Sequence, residues 1–376
     1  MNCFTKTCLF LGVGITLILY KPISTMAAEF GEACVFTDTI EYKQYQNPAP
    51  WEAKNNKFGI YTYAEEEVLI DLADNLVNSN GGDWGYVLIP YNVKDRDTSK
   101  WEKVFDKLNK KHLIPIIQLH DVDVKHYKIQ TKEAALFLNK FLWPIKHRYI
   151  SVYNEPNDDA FWYGDANPKE YAEILNYTID AFKQVTPNYF MLNGAFNVSA
   201  HPSNQYYDSF DFMKKMNDTV PGIFSKLDGW ASHSYPQPNF SGTVNAKGRN
   251  SITAYKDELQ FLSSELGVLK KLKVFITETG WAHAEGQKYN PNYLPVSEVA
   301  NRIEEAYKSV WLKDDDVQAV MPFTIRYNPP HDHFSWVNVD NVPYEHFQRI
   351  REIKKVAGKP ENLIDEKVNL TYCTNN

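Results

Sequence analysis

The sequence lacks an excess of positive charge. It has 40 Lys and Arg against 47 Asp and Glu, a formal net charge of −7. Removing residues 1–28, which contain Lys6 and Lys21 but no acid, would leave 38 against 47, or −9. Because phosphate backbones attract basic surfaces, this balance argues against a nucleic-acid partner. It also disfavours anionic polysaccharide, although local basic patches could override the net value.

Apolar runs resembling a membrane helix are absent beyond the N-terminus. Lys6 precedes an apolar run over residues 8–20, and small residues follow at 24–28, which is the pattern of an export signal. We therefore predict that residues 1–28 are a signal peptide and that the protein is secreted, extracellular or at the cell surface. The run falls short of the ~20 apolar residues that span a bilayer, so a retained membrane anchor is the lesser alternative.

Flexible linkers are missing as well. No Gly/Ser linker or low-complexity stretch divides the 376 residues, so we predict a single domain. Short apolar runs instead alternate with longer segments of helical period. The runs are nearly continuous in hydrophobic residues, as parallel strands buried on both faces are. Eight strands are predicted, at residues 58–63, 84–91, 113–120, 149–154, 189–197, 227–235, 273–277 and 319–327.

The segments between the strands have the pattern of one-sided helices. Trp101, Val104 and Leu108, for example, recur at helical spacing. Eight strand-then-helix units favour an α/β fold of the (β/α)8 TIM-barrel type, with a lead-in at 29–56, the barrel at 57–357 and a tail at 358–376. A doubly wound open sheet is the rival. It would require a glycine-rich turn after the first strand, where residues 61–65 contain no glycine.

Cysteine is scarce. Of four cysteines, Cys3 and Cys8 lie in the predicted signal, which leaves Cys34 and Cys373 near the two ends of the mature chain. In an oxidising compartment these two could form a disulfide, since a closed barrel brings its first and last elements side by side. Two unrelated thiols are the alternative.

Two short acidic motifs stand at the ends of the fourth and seventh predicted strands. Tyr-Asn-Glu-Pro-Asn at 153–157 contains Glu155, and Ile-Thr-Glu-Thr-Gly-Trp at 276–281 contains Glu278. The carboxyl ends of barrel strands carry the active site, so these groups would meet at one mouth. Two carboxyl groups on opposite sides of an anomeric carbon cleave a glycosidic bond. The pattern therefore indicates a glycosidase.

The motifs and the order of the strands resemble clan A of the glycoside hydrolases, the retaining barrel enzymes. Asn-Glu-Pro-Asn looks like family 39 or 5, and Glu-Thr-Gly-Trp looks like family 17; the resemblance covers residues from about 57 to 357. It implies that Glu155 is the proton donor and Glu278 the nucleophile. It also implies that Asn154 binds the 2-hydroxyl of the sugar, while a buried turn former is the alternative for this residue.

The resemblance implies further sugar-contacting residues around the mouth. His120 ends the third strand, and His233 and Tyr235 end the sixth with both side chains on one side, so that Tyr235 would orient Glu278. Purely structural roles for these three residues remain open. Additional candidates for the wall or for a stacking platform, each of which could instead belong to the core, are Trp281, Trp336, Tyr63 and Tyr91.

The chain departs from the clan A pattern in its arginines. Many members carry an Arg near the end of the second strand that pairs with the nucleophile. Here residues 89–92 contain none, and the next along the chain is Arg96. Arg326, on the eighth predicted strand, is the candidate substitute.

No cofactor and no metal are expected. His331, Asp332 and His333 cluster three potential ligands. Adjacent residues rarely converge on one ion, and no Glu-x-x-His motif or Cys pair supports them.

The sequence thus predicts a secreted, monomeric, retaining β-glycoside hydrolase that cleaves a poly- or oligosaccharide by double displacement. Two alternatives stay open. One is a transglycosylase of the same fold, in which a sugar replaces water as the acceptor; the other is a barrel that binds carbohydrate without turnover. Aromatic residues of the loops after strands four to eight would line an open groove, with packing beneath the loops as the alternative for some of them: Phe161, Trp162, Tyr163, Tyr206, Tyr207, Phe240, Tyr289 and Tyr293.

Overall fold

The computed structural model describes residues 55–203 and 205–358, together with the backbone of two terminal strands. Its centre is a set of eight parallel strands, one for each apolar run in the sequence. The strands are β1 (Gly59–Tyr61), β2 (Tyr86–Asn92), β3 (Ile114–His120), β4 (Arg148–Val152), β5 (Tyr189–Asn193), β6 (Trp230–His233), β7 (Val274–Glu278) and β8 (Val317–Val320).

In the part of the chain that the structure describes, each strand is followed by one α-helix, and the helices bury one face. Several begin at a side-chain cap, as where Asp97 accepts from Lys100 N and Asn167 accepts from Glu170 N. The helices are α1 (Glu67–Val77), α2 (Thr98–Lys110), α3 (Tyr127–Asn139), α4 (Pro168–Val185), α5 (Ser209–Thr219), α6 (Ala254–Ser264), α7 (Val296–Ser309) and α8 (Glu345–Glu352).

Backbone hydrogen bonds run along β1 to β5 and along β6 to β8, and the two resulting sheets meet at two seams. At the first seam, Val320 N donates to Lys57 O at 2.9 Å and Tyr61 N donates to Pro322 O at 3.1 Å, which joins β8 to β1. A parallel bridge pairs Phe58 with Val320 at the same place. The last strand therefore returns to the first, as a barrel requires.

The second seam, between β5 and β6, depends on a side chain. Asn193 Nδ2 donates to Ala231 O at 3.0 Å, and Ala231 N donates back to Asn193 Oδ1 at 2.9 Å. Asp228 N adds a backbone bond to Met191 O at 2.9 Å. The side-chain amide of Asn193 thus replaces a backbone hydrogen-bonded pair between β5 and β6. With both seams joined, the predicted (β/α)8 barrel is confirmed.

The strands separate two apolar layers. In β2, Tyr86 and Leu88 belong to the cluster inside the barrel, whereas Val87, Ile89 and Tyr91 belong to the larger cluster between strands and helices. Both faces of each strand are therefore buried, which explains why the sequence pattern is continuous rather than alternating. The inner cluster consists of Tyr61, Trp84, Tyr86, Leu88, Ile114, Ile116, Ile145, Tyr149, Phe190, Leu192, Ala195, Ala231, Phe275, Ala319 and Met321.

A carboxyl group lies in the layer between β6 and α6. Glu258, which is fully buried, accepts from Ser232 Oγ at 2.5 Å, and Ser232 Oγ lies 2.8 Å from Ser234 Oγ. Burial raises the pKa of Glu258 from 4.5 to about 7, against the opposing effects of the Ser232 hydrogen bond and the charge of His233. The helix layer behind β6 therefore contains a carboxyl group that stays protonated to a higher pH than an ordinary glutamate.

Two terminal segments pair with one another as a two-stranded sheet, Cys34–Gln46 with Asn362–Cys373. By its contacts the chain divides into two compact units, Met1–Tyr42 with Lys367–Asn376 and Lys43–Glu366, and the larger contains the barrel. The sequence pattern did not predict the terminal strands. The side chains of the two terminal cysteines and the predicted signal at 1–28 lie outside the described residues, so the disulfide and the signal stay predictions.

Within the described residues, no helix is both long enough and apolar enough to cross a membrane. Five predicted strands extend at least two residues beyond the regular pairing. The observed strands end at Tyr61 (first), Val152 (fourth), Asn193 (fifth), His233 (sixth) and Val320 (eighth), and the residues that follow turn into loops at the barrel mouth.

We predict that Asn193→Ala lowers the free energy of unfolding by about 2–4 kcal/mol. The change removes three hydrogen bonds, one to Gly194 O and two to Ala231, and leaves the buried N–H and C=O of Ala231 unpaired. Urea unfolding measures the loss, with the exposed Asn292→Ala as the control. If both variants lose equally little, the backbone bond from Asp228 holds the seam without the amide.

We predict that Glu258→Gln stabilises the protein at high pH. The pKa of Glu258 is higher in the folded chain than its ordinary 4.5, so its stabilising contribution is full below pH 4.5 and is lost as the pH rises through about 7. The amide cannot ionise and avoids this loss, which corresponds to roughly 3 kcal/mol at pH 8 and close to nothing at pH 4.5. Denaturant unfolding at both pH values tests this, and a difference independent of pH would contradict it.

Candidate active site

The structure brings the two predicted acids together. Glu155 lies in the turn after β4 and Glu278 is the last residue of β7, and each is only 9% exposed. One oxygen of each carboxyl group and one ring nitrogen of His233 all lie within 4.8 Å of one another. A retaining glycosidase needs carboxyl groups about 5–5.5 Å apart, whereas an inverting one needs about 6.5–9.5 Å. The separation therefore fits direct attack by one carboxylate.

A bulge in β7 brings Glu278 to the mouth. Ser232 pairs with Ile276, but the next residue, His233, pairs with Glu278, so that β7 has one extra residue at Thr277. Strict alternation would place Glu278 on the same face as Ile276, which belongs to the outer cluster. An extra residue in one strand re-aims the side chains that follow, and bulges are frequent beside active sites.

The turn that carries Glu155 is strained. Tyr153 has φ 73° and Glu155 has φ 35°, both in the left-handed region that residues with a Cβ rarely adopt. Glu155 N donates to Ala195 O at 3.0 Å, which fixes the turn to the chain after β5. Strain of this kind persists only where surrounding contacts enforce it, and it clusters at functional sites.

Asn157 supplies those contacts, and the sequence reasoning gave it no role. Its side chain is completely buried. Oδ1 accepts from Asn197 N at 3.0 Å, while Nδ2 donates to Asn197 O and to Tyr207 O, each at 3.0 Å. The side-chain amide of Asn157 thus joins the loop after β4 to the loop after β5. The one feature of the sequence that could have indicated this role is its position two residues after Glu155.

His233 lies between the two acids. Its Nδ1 is 2.8 Å from Glu155 Oε1 and 3.7 Å from Glu278 Oε2, and the ring is almost fully buried. Burial by itself lowers the pKa of His233, but the charge of Glu278 and the hydrogen bond and charge of Glu155 outweigh it, so the pKa is raised above 6.5. His233 is therefore protonated more readily than an ordinary histidine, and it lies beside both carboxyl groups.

Tyr235 forms a hydrogen bond with Glu278. Its hydroxyl donates to Glu278 Oε2 at 3.0 Å. Burial and the nearby charges of Glu278 and Glu155 raise the pKa of Tyr235 well above 10, so it remains a donor. Burial also raises the pKa of Glu278 to about 7, with the charge of Glu155 adding to the rise, while His233 and the Tyr235 hydrogen bond oppose it.

Three further predicted residues lie at the carboxyl ends of their strands. Asn154 directly precedes Glu155, and its Oδ1 accepts from Gln118 Nε2 at 3.1 Å. His120 ends β3 and is half-exposed, with its Nδ1 3.1 Å from Asp121 Oδ2. Tyr63 follows β1, where its hydroxyl donates to Glu66. Their sugar contacts stay predictions.

The structure places three predicted wall residues in the core instead. Tyr91 packs on Trp101 and Phe137 among the helices, because alternation in β2 directs it outward together with Val87 and Ile89. Trp281 is buried and its Nε1 donates to Gly242 O at 2.7 Å, which anchors the loop after β6. Trp336 is only 3% exposed and its ring contacts His346, so no open face remains for a sugar to stack on.

Arg326 does not substitute for the arginine that clan A members pair with the nucleophile. Its Nη2 donates to Glu66 Oε2 at 3.2 Å and its Nη1 to Asn341 Oδ1 at 2.6 Å. It thereby joins the loop after β1 to the loop after β8. In the described part of the chain, the ion-pair partner found for Glu278 is His233.

Several aromatic residues near Glu278 escaped the sequence reasoning. Phe323 N donates to Thr279 O at 2.9 Å, and the Phe323 ring contacts Tyr61 with centroids 5.0 Å apart. The charge of Glu278 contributes to the raised pKa values of Tyr61 and Tyr327, after burial, which places both hydroxyls in its field. Phe323 and Tyr327 follow the regular strand β8, where no periodicity reveals which face a side chain takes, whereas Tyr61 is the last residue of β1.

One group among the described residues has the spacing of metal ligands, and it is the same Glu155, His233 and Glu278. Its closest approach, 2.8 Å, is an ordinary hydrogen-bond length. The adjacent His331, Asp332 and His333 do not converge on one point. Asp332 accepts from Gln287 N, and His333 Nδ1 lies 3.0 Å from His283 O, so their polar atoms hold the loops after β7 and β8 together.

No family model matches the sequence, and no curated protein matches it either. Solved structures do share its fold. A GH39 beta-xylosidase from Caulobacter crescentus is 14% identical, with 82% of this chain and 73% of that chain covered and a TM-score of 0.53. A GH128 (subgroup II) endo-beta-1,3-glucanase from Pseudomonas viridiflava is also 14% identical, covering 80% and 99% with a TM-score of 0.51.

A GH53 catalytic domain from Ignisphaera aggregans is similar to the same degree, with 14% identity, 82% and 98% of the two chains covered and a TM-score of 0.52. At these identities the likeness concerns the fold. This chain thus has the same barrel fold as these glycoside hydrolase structures, and the predicted resemblance to clan A is confirmed at the level of fold.

Proposed function

We propose that the protein is a secreted, retaining β-glycoside hydrolase that cleaves poly- or oligosaccharides. The observation that carries the proposal is the buried pair Glu155 and Glu278, with carboxyl oxygens within 4.8 Å at the ends of β4 and β7. A pair at this separation, on opposite sides of the reacting carbon, suits a double displacement. The shared fold with glycoside hydrolase structures supports the same reaction.

In the first step Glu278 attacks the anomeric carbon. Its Oε atom forms the new bond as the bond to the leaving oxygen breaks, and Glu155 passes its proton to that oxygen. Tyr235 donates to Oε2 of Glu278, which holds this oxygen and favours the charged form of the nucleophile. A larger ionised fraction of Glu278 and a fixed orientation thus come from one contact.

In the second step the ester between Glu278 and the sugar is hydrolysed. Glu155, now without its proton, accepts one from water as the water oxygen attacks the anomeric carbon, and Glu278 leaves as a carboxylate. His233 Nδ1, 2.8 Å from Glu155 Oε1, stabilises the charge that Glu155 carries between the steps. A sugar hydroxyl in place of water would give transglycosylation.

Exposed aromatic residues in the loops after the strands support the proposed substrate class. Phe161 and Tyr163 in the loop after β4, and Tyr289 in the loop after β7, are exposed, whereas Trp162 is buried and donates to Glu170. Exposed aromatic faces suit the apolar faces of sugar rings in a chain. The names of the similar structures, a beta-xylosidase and an endo-beta-1,3-glucanase, favour β-linked substrates. Export is supported by the sequence of residues 1–28.

We predict that the mature protein releases reducing sugar from at least one β-linked polysaccharide or aryl β-glycoside, and that Glu278→Gln abolishes the release. The amide is nearly isosteric but cannot form the ester. Glu155→Gln should lose about 100- to 10,000-fold on substrates with poor leaving groups, because these need the proton most. A panel of β-linked substrates with reducing-sugar detection measures both effects.

The control for this experiment is Glu285→Gln, an exposed acid in the loop after β7 that should keep full activity. NMR of the first product identifies its anomer, and a β product from a β substrate is expected. An α product would contradict the retaining mechanism. Activity that survives in Glu278→Gln would contradict the assignment of the nucleophile, and wild-type inactivity on every substrate would favour a barrel that only binds carbohydrate.

We predict that kcat/KM falls as the pH drops below about 7, since Glu278 must be ionised to attack and its pKa is raised to about 7. Tyr235→Phe removes a hydrogen bond that lowers this pKa, so the acidic limb should move to higher pH, and kcat/KM at the optimum should fall about 10- to 100-fold. The pH profile of kcat/KM for both proteins tests this. An acidic limb that stays in place would show that the hydroxyl does not control the ionisation of Glu278.

A further inference from the structure

Gln118 is a buried amide inside the barrel to which the double displacement assigns no part. It lies in β3, in register with Pro90 of β2 and Ser151 of β4, and is almost fully buried. Ile114 and Ile116, the preceding residues of the same parity, fill the inner cluster. An apolar side chain would continue this packing, so a polar amide at Gln118 is a departure that requires partners.

The partners of Gln118 connect two parts of the candidate active site. Its Nε2 donates to Asn154 Oδ1 at 3.1 Å, and its Oε1 accepts from the hydroxyl of Tyr61 at 3.3 Å. Tyr61 is buried beside Glu278, and burial together with that charge raises the pKa of Tyr61 well above 10, so the hydroxyl keeps its proton. The three residues form one chain of donors and acceptors from β1 to the turn after β4.

The direction of these hydrogen bonds determines whether Asn154 presents a donor or an acceptor to a ligand. An asparagine amide has one oxygen that accepts and one nitrogen that donates. Because Tyr61 donates to the oxygen of Gln118, the nitrogen of Gln118 faces Asn154 and occupies its oxygen. The group left for a ligand is then Nδ2 of Asn154, which is a donor.

We propose that Gln118 is a positioning residue that fixes the amide of Asn154 as a hydrogen-bond donor toward the sugar oxygen next to the anomeric carbon. The inference deepens the proposed glycosidase function and rests on it. Gln118 itself does not touch the substrate; it sets which end of Asn154 does. A site that requires an acceptor at this position discriminates against sugars lacking the hydroxyl, since the donor would then stay unpaired.

The test compares an aryl β-glycoside that the wild type cleaves with its 2-deoxy counterpart. The measured quantity is the ratio of kcat/KM between the two, which a general loss of stability does not change. Asn154→Ala sets the ratio expected when the contact is missing. We expect a wild-type preference of about 100-fold or more for the 2-hydroxy substrate, as for sites built to bind a hydroxyl.

Two variants remove the donor in different ways. Gln118→Met keeps the volume but frees the Asn154 amide to rotate, and Gln118→Glu presents an acceptor at pH 8, which attracts Nδ2 and turns the oxygen of Asn154 toward the substrate. In both we expect the ratio to shrink about tenfold or more, toward that of Asn154→Ala, through loss on the 2-hydroxy substrate. A variant that fails to fold is excluded by thermal unfolding, and the other then decides.

Gln318→Met is the matched control. Gln318 is also a buried barrel glutamine that donates to a tyrosine, Tyr86, but it lies in β8 at the opposite end of the barrel from the acids. It should lose stability and keep the wild-type ratio. Wild-type ratios in both Gln118 variants, or a wild-type ratio near one, would overturn this inference alone, whereas a wild type that cleaves no glycoside would overturn the proposed function as well.

Discussion

Two carboxyl groups held within 4.8 Å of each other in a buried site resist being charged at the same time, and the surroundings of Glu155 and Glu278 follow from that repulsion. Burial and the second charge raise the pKa of Glu278 to about 7. His233 Nδ1 approaches both groups, and the hydroxyl of Tyr235 donates to Glu278. These contacts reduce the repulsion without removing it. One carboxyl group of the pair can therefore be ionised while the other is protonated, and the negative charge can pass from Glu278 to Glu155 between the two steps, as a double displacement requires.

The barrel holds this pair together against its repulsion. The three titratable groups come from the turn after β4 and from β6 and β7. One of the two seams in the ring lies between them, where Asn193 joins β5 to β6 with its side chain. The turn at Glu155 adopts left-handed φ values, and the bulge at Thr277 re-aims Glu278. Unfavourable local geometry at two strand ends thus coincides with the two acids, as expected where function rather than stability determines the backbone.

The strands and helices were predictable because burial on both faces leaves a continuous apolar run, and one-sided burial leaves a helical period. Glu155 and Glu278 were predictable because they end such runs. The prediction for Tyr91 was wrong because it used only the position of this residue near the end of β2. It did not consider which face of the strand the side chain takes, and Tyr91 lies on the outward face together with Val87 and Ile89. Trp336 was misplaced for another reason. The regular strand β8 ends at Val320, and no period shows that the chain beyond it folds back into the core.

No arginine of the described residues forms an ion pair with the nucleophile, and this has an electrostatic consequence. Arg326 pairs with Glu66 and Asn341, and His233 is the described side chain that forms an ion pair with Glu278. An arginine would stay charged at every working pH, whereas the charge of a histidine depends on its neighbours. The pKa of His233 is raised because Glu278 and Glu155 are near, and the pKa of Glu278 is in turn held down by His233. Neither group then titrates independently, so an observed pKa of this site belongs to the three side chains together.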